Sequence, residues 1–351
     1  MEMAARVAAR GLGRVSPNPS VGCVIVNQQN EVVAIARTAD GGRPHAEAQA
    51  LKIAGSRAQG ATAYVTLEPC AHEGSTPSCA RLLAEAGIAR VVVACIDPDP
   101  RTAGKGSAYL EQQSIGVDRC DEARAWHVLE GYLSRQTERR PAITLKVAVS
   151  ANGFMRTPEG QSPQITGELS RRWVHGLRSR HDVLITGSGT VSADNPQMTC
   201  RLPLMRSPEC LVLDRSGNFP PGCHLDRSGV TIYTQKPISP LQAATRPFAF
   251  TQDDQADIMA VLGDLAETGV NRILVEAGPR LARAFWRTGA VDQLAILMAP
   301  HHLPMEGSSD LAYIGIDDIP TTTMHLYEDR PLGADRLIVW RRKTDGRLEK
   351  E

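Results

Sequence analysis

Aromatic side chains make up only 4% of this chain, and its 39 Lys and Arg residues are balanced by 39 Asp and Glu residues. The few aromatics and the zero net charge argue against a surface for single-stranded nucleic acid and against attraction to an anionic membrane. No apolar run approaches the roughly 18 residues of a membrane span, and residues 1–6 lack the apolar core of a signal peptide. We therefore expect a cytoplasmic protein whose partner is a small molecule.

Cysteine is also sparse, with eight residues in a chain of 351. Such a number excludes a disulfide framework, and paired cysteines in a reducing compartment are typical of metal sites or catalysis. The length predicts two domains of ordinary size.

The order of apolar segments predicts an α/β protein. Strands alternate with helices in both halves, which indicates mostly parallel sheets covered by helices, with ligands at the strand ends. In the first half, residues 21–26 and 32–36 predict a hairpin. The polar run 137–141 ends in proline, so we place the boundary there, with one domain over residues 1–140 and another over 141–351.

The strongest chemical signal is a set of metal-ligand residues. His45 and Glu47 open a predicted helix, Cys70 follows a proline at a strand end, and Cys79 opens the next helix. Zinc nucleobase deaminases have His-x-Glu followed by Pro-Cys-x-x-Cys, and the glutamate shuttles protons without binding the metal. Here eight residues separate the cysteines. Three protein ligands leave a fourth position for water, so the set predicts a Zn²⁺ site for hydrolytic deamination with Glu47 as the catalytic acid and base.

Two other classes of function remain open at this point. The chain could deaminate a base in tRNA or DNA, as enzymes with this motif do. Zinc could also serve only as a structural staple, which predicts four protein ligands. Nearby, His72 is either a substrate contact or a solvated loop residue, and Asn18 either forms an Asx-turn or binds the substrate.

The second half carries weaker signals. The run Gly-Ser-Gly-Thr at 187–190 follows a strand and could admit a dinucleotide phosphate, although it is often only a turn. Arg178, Arg201 and Glu276 could bind a sugar phosphate, or the arginines could simply be exposed.

Several motifs resemble those of the bifunctional riboflavin-biosynthesis deaminase/reductases, whose cysteine spacing is the same. In the first half they are residues 17–26, 44–47, 60–70, 76–79, 97–100 and 103–106, and in the second half residues 144–148, 165–166, 190–196, 211–214, 275–279 and 299–300. The resemblance implies a cytidine-deaminase-like three-layer domain followed by a dihydrofolate-reductase-like domain. It implies deamination of 2,5-diamino-6-(ribosylamino)pyrimidinone 5'-phosphate, and then NADPH reduction of the ribosyl group to ribityl. We also expect a homo-oligomer.

The resemblance also implies roles for individual residues. In the deaminase, substrate contacts would come from Asn18, His72 and the positions of Thr38 and Ser75. In the reductase, the NADPH site would include Ala148, Gln164, Thr190, Asp194 and Gly278, and the substrate site would include Ser162, Arg178, Met198, Arg201 and Glu276.

A few positions depart from the family pattern. Thr38 replaces a histidine and Ser75 replaces a Lys or Arg, so the second change removes a cation expected near an anionic substrate. In the reductase, Asn152 replaces an aspartate, Gln164 a tryptophan and Trp173 an aspartate. These departures leave open an alternative, a paralogue in pyrimidine-derived secondary metabolism with altered selectivity and a weakened or inactive reductase.

Overall fold

A computed structural model of the chain describes residues 1–73, 77–155, 164–236, 238, 240–303 and 320–343. These residues pack into two compact units. The first comprises Met1–Pro141 with Ala266–Asn271, and the second comprises Ala142–Leu265 with residues 272–343.

The first unit is built on a mixed sheet. Its strands, among the described residues, are β1 (Gly22–Val26), β2 (Val32–Arg37), β3 (Thr62–Leu67), β4 (Arg90–Cys95) and β5 (Gly116–Arg119), in the order β2-β1-β3-β4-β5. The predicted hairpin is correct, since β1 pairs antiparallel with β2. The expectation of a mostly parallel sheet holds only for β3, β4 and β5, because β1 is antiparallel to β3 as well. The short edge strand β5 was not predicted, since its four residues are mostly polar and exposed.

Helices cover this sheet. They are α1 (Glu2–Ala8), α2 (Ala46–Ala54), α3 (Cys79–Glu85), α4 (Lys105–Gln112) and α5 (Ala123–Thr137). The apolar faces of the helices meet those of the strands in one core, in which Leu83, Leu110 and Leu129 are fully buried. At the start of α3, the Ser78 side chain accepts a hydrogen bond from the Arg81 N–H, which satisfies a donor that the helix leaves free. This cap fixes the start of α3 at Cys79, one of the predicted metal ligands.

The second unit has a larger sheet. The described residues form β6 (Ala142–Val149), β7 (Val183–Gly187), β8 (Glu209–Asp214), β9 (Val230–Thr234), β10 (Ala244–Pro247), β11 (Arg272–Glu276), β12 (Gln293–Met298), β13 (Met324–Leu332) and β14 (Asp335–Arg342). Their order is β10-β9-β8-β7-β11-β6-β12-β14-β13. Pairing is parallel from β10 to β12 and antiparallel from β12 through β14 to β13. The edge strand β13 was missed because it contains a proline and alternates between half-buried and exposed residues.

The helices of this unit are α6 (Glu168–Arg178), α7 (Ser188–Asp194), α8 (Asp254–Glu267) and α9 (Pro279–Arg287). The Gly-Ser-Gly-Thr run is not a simple turn, because β7 ends at Gly187 and α7 begins at Ser188. The central strands β6, β7, β8 and β11 are parallel, so their carboxyl ends lie along one edge of the sheet. Within the described part of the chain, no helix has the length and apolar character that crossing a membrane requires.

Candidate active sites

Three potential metal ligands meet in the first unit. The ligand atoms of His45, Cys70 and Cys79 all lie within 4.8 Å of one another. His45 Nδ1 is 3.4 Å from the sulfur of Cys79 and 3.8 Å from that of Cys70. Two thiols and an imidazole are a donor set that zinc prefers, and in the described residues this group contains three protein ligands, as catalytic zinc sites do. The residues therefore fit a zinc ion with one open position.

Hydrogen bonds between Cys70, Cys79 and His45 shift the pKa values of the two thiols. The Cys79 N–H donates a hydrogen bond to the Cys70 sulfur at 3.3 Å. Hydrogen bonding from the Cys79 thiol, together with His45, holds the pKa of Cys70 at about 4, so this sulfur is a thiolate at neutral pH. The same bond and burial raise the pKa of Cys79. The pair thus retains one proton that zinc binding would displace.

Glu47 follows His45 by two positions, lies on the first turn of α2 and is almost completely buried. Burial raises the pKa of its carboxyl group, although the nearby His45 opposes this shift. A carboxyl group with a raised pKa can both accept and return a proton near neutral pH.

A pocket of about 320 Å³ opens beside these residues. His45, Glu47 and Cys70 line it, and so do the predicted contacts Asn18, Thr38 and His72. Ser75 lies outside the described residues.

Hydrogen bonds explain how two of these contacts are held. Asn18 Nδ2 donates to the Gly42 carbonyl at 3.0 Å. The Thr38 hydroxyl accepts from the Val21 N–H and donates to the Pro19 carbonyl, both at 3.0 Å. Thr38 therefore fastens the loop before β1 to the end of β2, a structural role that its sequence position did not indicate.

Residues 97–100 carry one of the family-like motifs, but no role was predicted for the acidic and aromatic wall that they form in the pocket with Tyr132. The Tyr132 hydroxyl donates to Asp97 at 2.9 Å, and burial raises the pKa of Asp97. Arg101 forms an ion pair with Asp99. The Asp-Pro-Asp-Pro run follows β4, and Cys70 follows the parallel neighbour β3, so the shared sheet edge was a signal that could have placed both in one site. Other lining residues not singled out are Arg43, Glu68, Arg135 and Gln136.

The second unit contains a cavity of about 800 Å³ at the carboxyl ends of its central strands. Eight of the residues predicted for the cofactor and substrate line it: Ala148, Gln164, Thr190, Asp194, Gly278, Arg178, Met198 and Glu276. Arg201 is not among its lining residues, and Ser162 lies outside the described residues.

The cavity wall suits a dinucleotide. Gly278 precedes α9, and its N–H donates to the Thr190 hydroxyl of α7 at 3.0 Å, so the beginnings of the two helices are joined. A Cβ atom at Gly189 would meet no atom within 4 Å, so the space beside it is open. Helix N-termini with exposed backbone N–H groups favour phosphates, and these residues fit the diphosphate of NADPH.

An ion cluster around the buried Glu276 also lines the cavity. Arg178 Nε lies 2.6 Å from one carboxylate oxygen of Glu276, and Lys146 Nζ lies 3.3 Å from the other. Although burial opposes it, the positive Lys146 and Arg178 lower the pKa of Glu276 to about 2. Of the residues predicted to bind a sugar phosphate, Arg178 is paired with Glu276, and Arg201 donates to His175 through Nε. Lys146 was not predicted as a site residue. It lies opposite Glu276, because β6 and β11 pair in parallel with these two residues as partners.

Two departures from the family pattern have structural roles. Asn152 donates to the Leu303 carbonyl at 2.8 Å and accepts from the Leu303 N–H at 3.0 Å. Trp173 is partly buried against two apolar clusters. Neither residue lines the cavity.

Two protein-family models match this chain, one in each half. The cytidine and deoxycytidylate deaminase zinc-binding region matches residues 1–95, and the RibD C-terminal domain matches residues 141–307. The riboflavin biosynthesis protein RibD of Escherichia coli is 34% identical over 354 residues, which cover 95% of this chain and 96% of that protein. The chain belongs to the RibD family. RibD of Aquifex aeolicus is 32% identical over 97% of both chains.

Solved structures of RibD proteins are similar as well. RibD of Acinetobacter baumannii superposes with a TM-score of 0.84 at 32% identity and covers 98% of each chain. A diaminohydroxyphosphoribosylaminopyrimidine deaminase/5-amino-6-(5-phosphoribosylamino)uracil reductase of Thermotoga maritima has a TM-score of 0.86 at 30% identity and covers 98% of this chain and 97% of that one.

These findings confirm the main predictions. The chain is an α/β enzyme with a zinc-dependent deaminase half and an NADPH-dependent reductase half, and it acts in riboflavin biosynthesis on a small molecule. The similarity extends over both halves, and it does not favour the paralogue with a weakened reductase.

Proposed function

We propose that this enzyme deaminates 2,5-diamino-6-(ribosylamino)pyrimidinone 5'-phosphate with residues 1–140, and then reduces the ribosyl group of the product to ribityl with residues 141–351. The observation that carries the first step is the buried Glu47 beside the cluster of His45, Cys70 and Cys79. The Thermotoga maritima relative is named for these two reactions.

In the deaminase, His45, Cys70 and Cys79 would hold the zinc ion. Zinc, when bound, supplies Lewis acidity that lowers the pKa of a water to about 7. Glu47 accepts a proton from the attacking water and delivers it to the departing amine, for which its raised pKa is suited. Asn18 and His72 contact the substrate at the pocket wall.

The same pocket contains positive charge for the substrate phosphate. Arg43, Arg101 and Arg135 line it, and Arg101 also pairs with Asp99. Guanidinium groups bind phosphate oxygens in a bidentate manner. These arginines support phosphate binding in a chain that has serine at position 75.

In the reductase, Ala148, Gln164, Thr190, Asp194 and Gly278 bind NADPH, and the nicotinamide supplies the hydride to C1' of the ribosylamino group. Glu276, Arg178 and Met198 form the substrate side of the cavity. The predicted substrate contact Ser162 lies outside the described residues. Arg201 contacts the substrate phosphate at the cavity mouth, since it is exposed and follows the lining residue Met198 by three positions.

The substitution Glu47→Gln tests the deaminase assignment. We expect retained zinc, measured by metal analysis, and a loss of ammonia release by at least about a hundredfold, since general acid and base catalysis contributes that much. NADPH oxidation on the already deaminated substrate should be unchanged. Glu111→Gln, at an exposed position on α4, is the matched control. Ammonia release by Glu47→Gln at the rate of this control would refute the role of Glu47.

We further propose that the enzyme is a cytoplasmic homo-oligomer that binds no nucleic acid. The exposed Leu326 and Tyr327 of the edge strand β13 support self-association, because an open strand edge with apolar side chains is a surface that proteins usually cover. Sedimentation velocity gives the oligomeric state, and a monomer at micromolar concentration would contradict this proposal.

A further inference from the structure

We propose that His175 is a positioning residue of the reductase, which holds the guanidinium group of Arg201 for the substrate phosphate only while the imidazole is neutral. The inference rests on the proposed function, in which Arg201 contacts that phosphate. Neither the family resemblance nor the motifs of the sequence single out His175.

The contacts of the imidazole fix its tautomer. His175 Nδ1 lies 3.0 Å from the Thr199 carbonyl oxygen, which can only accept, so Nδ1 carries the proton. Nε2 is then an acceptor, and Arg201 Nε donates to it at 3.2 Å. The opposite tautomer would keep only the approach of the Arg201 backbone N–H to Nδ1 at 3.3 Å, so it satisfies fewer contacts.

This arrangement orients the arginine. With Nε donated to His175, the terminal nitrogens of the exposed Arg201 side chain keep their N–H groups for an incoming anion. A guanidinium that is held in one orientation loses less conformational entropy when it binds phosphate.

The loop that carries Arg201 is held by the same helix. His175 and Arg178 lie one turn apart on α6, and both donate to the Thr199 carbonyl, Arg178 through Nη1 at 2.9 Å. The neighbouring Met198 has a φ of 51°, a conformation that is strained for a residue other than glycine. Met198 and Arg178 line the cavity. The two bonds to one carbonyl therefore fix a strained loop between the cavity and Arg201.

The surroundings keep the imidazole neutral. His175 is buried, and the charged groups that act on it are Arg178 on its own helix, Arg201 on the loop and Glu276 on β11. Burial and then the two arginines lower the pKa of His175, and Glu276 opposes them only in part. Protonation would place an N–H at Nε2 facing the Arg201 cation, so the bond to Arg201 would be lost and replaced by repulsion. The KM of the reductase for its phosphorylated substrate should therefore rise as pH falls through the pKa of His175.

Two substitutions separate the functions of the ring nitrogens. His175→Asn places an amide near Nδ1, so it can keep the bond to Thr199 but offers no acceptor to Arg201. His175→Gln reaches the position of Nε2, so it can accept from Arg201 but cannot titrate. We expect His175→Asn to raise the KM for 5-amino-6-(5-phosphoribosylamino)uracil about tenfold with little change in kcat, since one hydrogen bond to a charged group is lost. His175→Gln should keep the KM near the wild-type value and remove its rise at acidic pH.

Arg201→Ala and the dephosphorylated substrate complete the test. If Arg201→Ala raises the KM but His175→Asn does not, or if His175→Asn raises the KM equally for the dephosphorylated substrate, the positioning role is overturned and the proposed function stands. If Arg201→Ala leaves the KM unchanged, the phosphate role of Arg201 fails, and the inference fails with it.

An NMR titration gives a readout without turnover. In protein with ¹³C-labelled histidine, the pKa of His175 should be higher in Arg201→Ala than in the wild type, because a nearby cation and a donor to Nε2 are removed. An unchanged pKa of His175 would show that Arg201 does not bond the imidazole and would overturn the inference.

Discussion

The pocket of the first unit has a volume of about 320 Å³, and the cavity of the second has about 800 Å³. In the small pocket we propose that the chain's own side chains supply the proton transfer and the metal ligands, and the ligand atoms of His45, Cys70 and Cys79 lie within 4.8 Å of one another. In the large cavity the reactive group belongs to the cofactor, and the chain supplies shape, fixed charges and loop conformation. A site that performs chemistry itself depends on a few atoms, whereas a site that positions a cofactor depends on many residues of ordinary type.

This contrast predicts the largest single-residue effect for a metal ligand. Cys79→Ser should lose zinc and reduce deamination by more than about a thousandfold, since the water is no longer activated at neutral pH. Metal analysis and ammonia release measure the two effects, and NADPH oxidation on the deaminated substrate should be retained. Cys120→Ser, at a half-buried free thiol of the same unit, serves as the control. Full deaminase activity in zinc-depleted Cys79→Ser would show that the first unit does not depend on its metal.

In the second unit, the residue with the largest predicted effect is Glu276. Glu276→Gln leaves the part-buried cations Arg178 and Lys146 without their carboxylate, and breaking a buried ion pair costs about 3–5 kcal/mol. We expect a lower free energy of unfolding of the second unit and a much reduced reductase rate, with deamination preserved. Calorimetry and the two separate assays test this. A variant as stable as the wild type would mean that the cluster contributes nothing to this unit.

Glu276 also makes the free energy of unfolding of the second unit depend on pH. The folded pKa of Glu276 is about 2, below the ordinary value of 4.5. Its contribution to stability is therefore complete above about pH 4.5 and is lost as pH falls towards 2, where the folded state must also take up the proton. Urea unfolding between these two pH values should show a loss of roughly 3 kcal/mol in the wild type. The loss should be smaller in Glu276→Gln, and parallel pH curves for the two proteins would contradict the assignment.

The smallest effect concerns the wall of the zinc pocket. Thr38→Val removes the acceptor for the buried Val21 N–H and the donor to the Pro19 carbonyl, which costs about 1–3 kcal/mol in the free energy of unfolding. Because the loop beside Asn18 is loosened, the KM of deamination should rise more than kcat falls. Thr38→Ser keeps the hydroxyl and is the matched control. Equal stability of the valine and serine variants would show that these two bonds do not hold the loop.

Prediction from the sequence was most complete in the first unit. Histidine, cysteine and glutamate in a recognisable spacing predict a metal site because few other arrangements need those residue types together. The sequence predicted His45, Glu47, Cys70 and Cys79, and the structure brings the ligand atoms of the histidine and the two cysteines within 4.8 Å of one another. The hairpin of β1 and β2 and most later strands also followed from apolar patterning. The edge strands β5, β10 and β13 were not predicted, because they lack the buried, β-branched runs that mark strands inside a sheet.

In the second unit, sequence identified lining residues but not their partners. Arg178 and Arg201 look alike as isolated arginines, yet Arg178 is half-buried and paired with Glu276, whereas Arg201 is exposed beside His175. Only contacts between distant segments distinguish them.

The sequence by itself determined the zinc chemistry and the alternation of strands and helices, because these depend on residue types and on local periodicity. The second activity was predicted from the resemblance of the later motifs to a known family. The tertiary structure decided which charges meet. The parallel register of β11 and β6 places Glu276 next to Lys146, although 130 positions separate them in the chain. The return of the loop after α7 towards α6 likewise brings Arg201 to His175. Such pairs arise from strand register and packing, and no local pattern of residues encodes them.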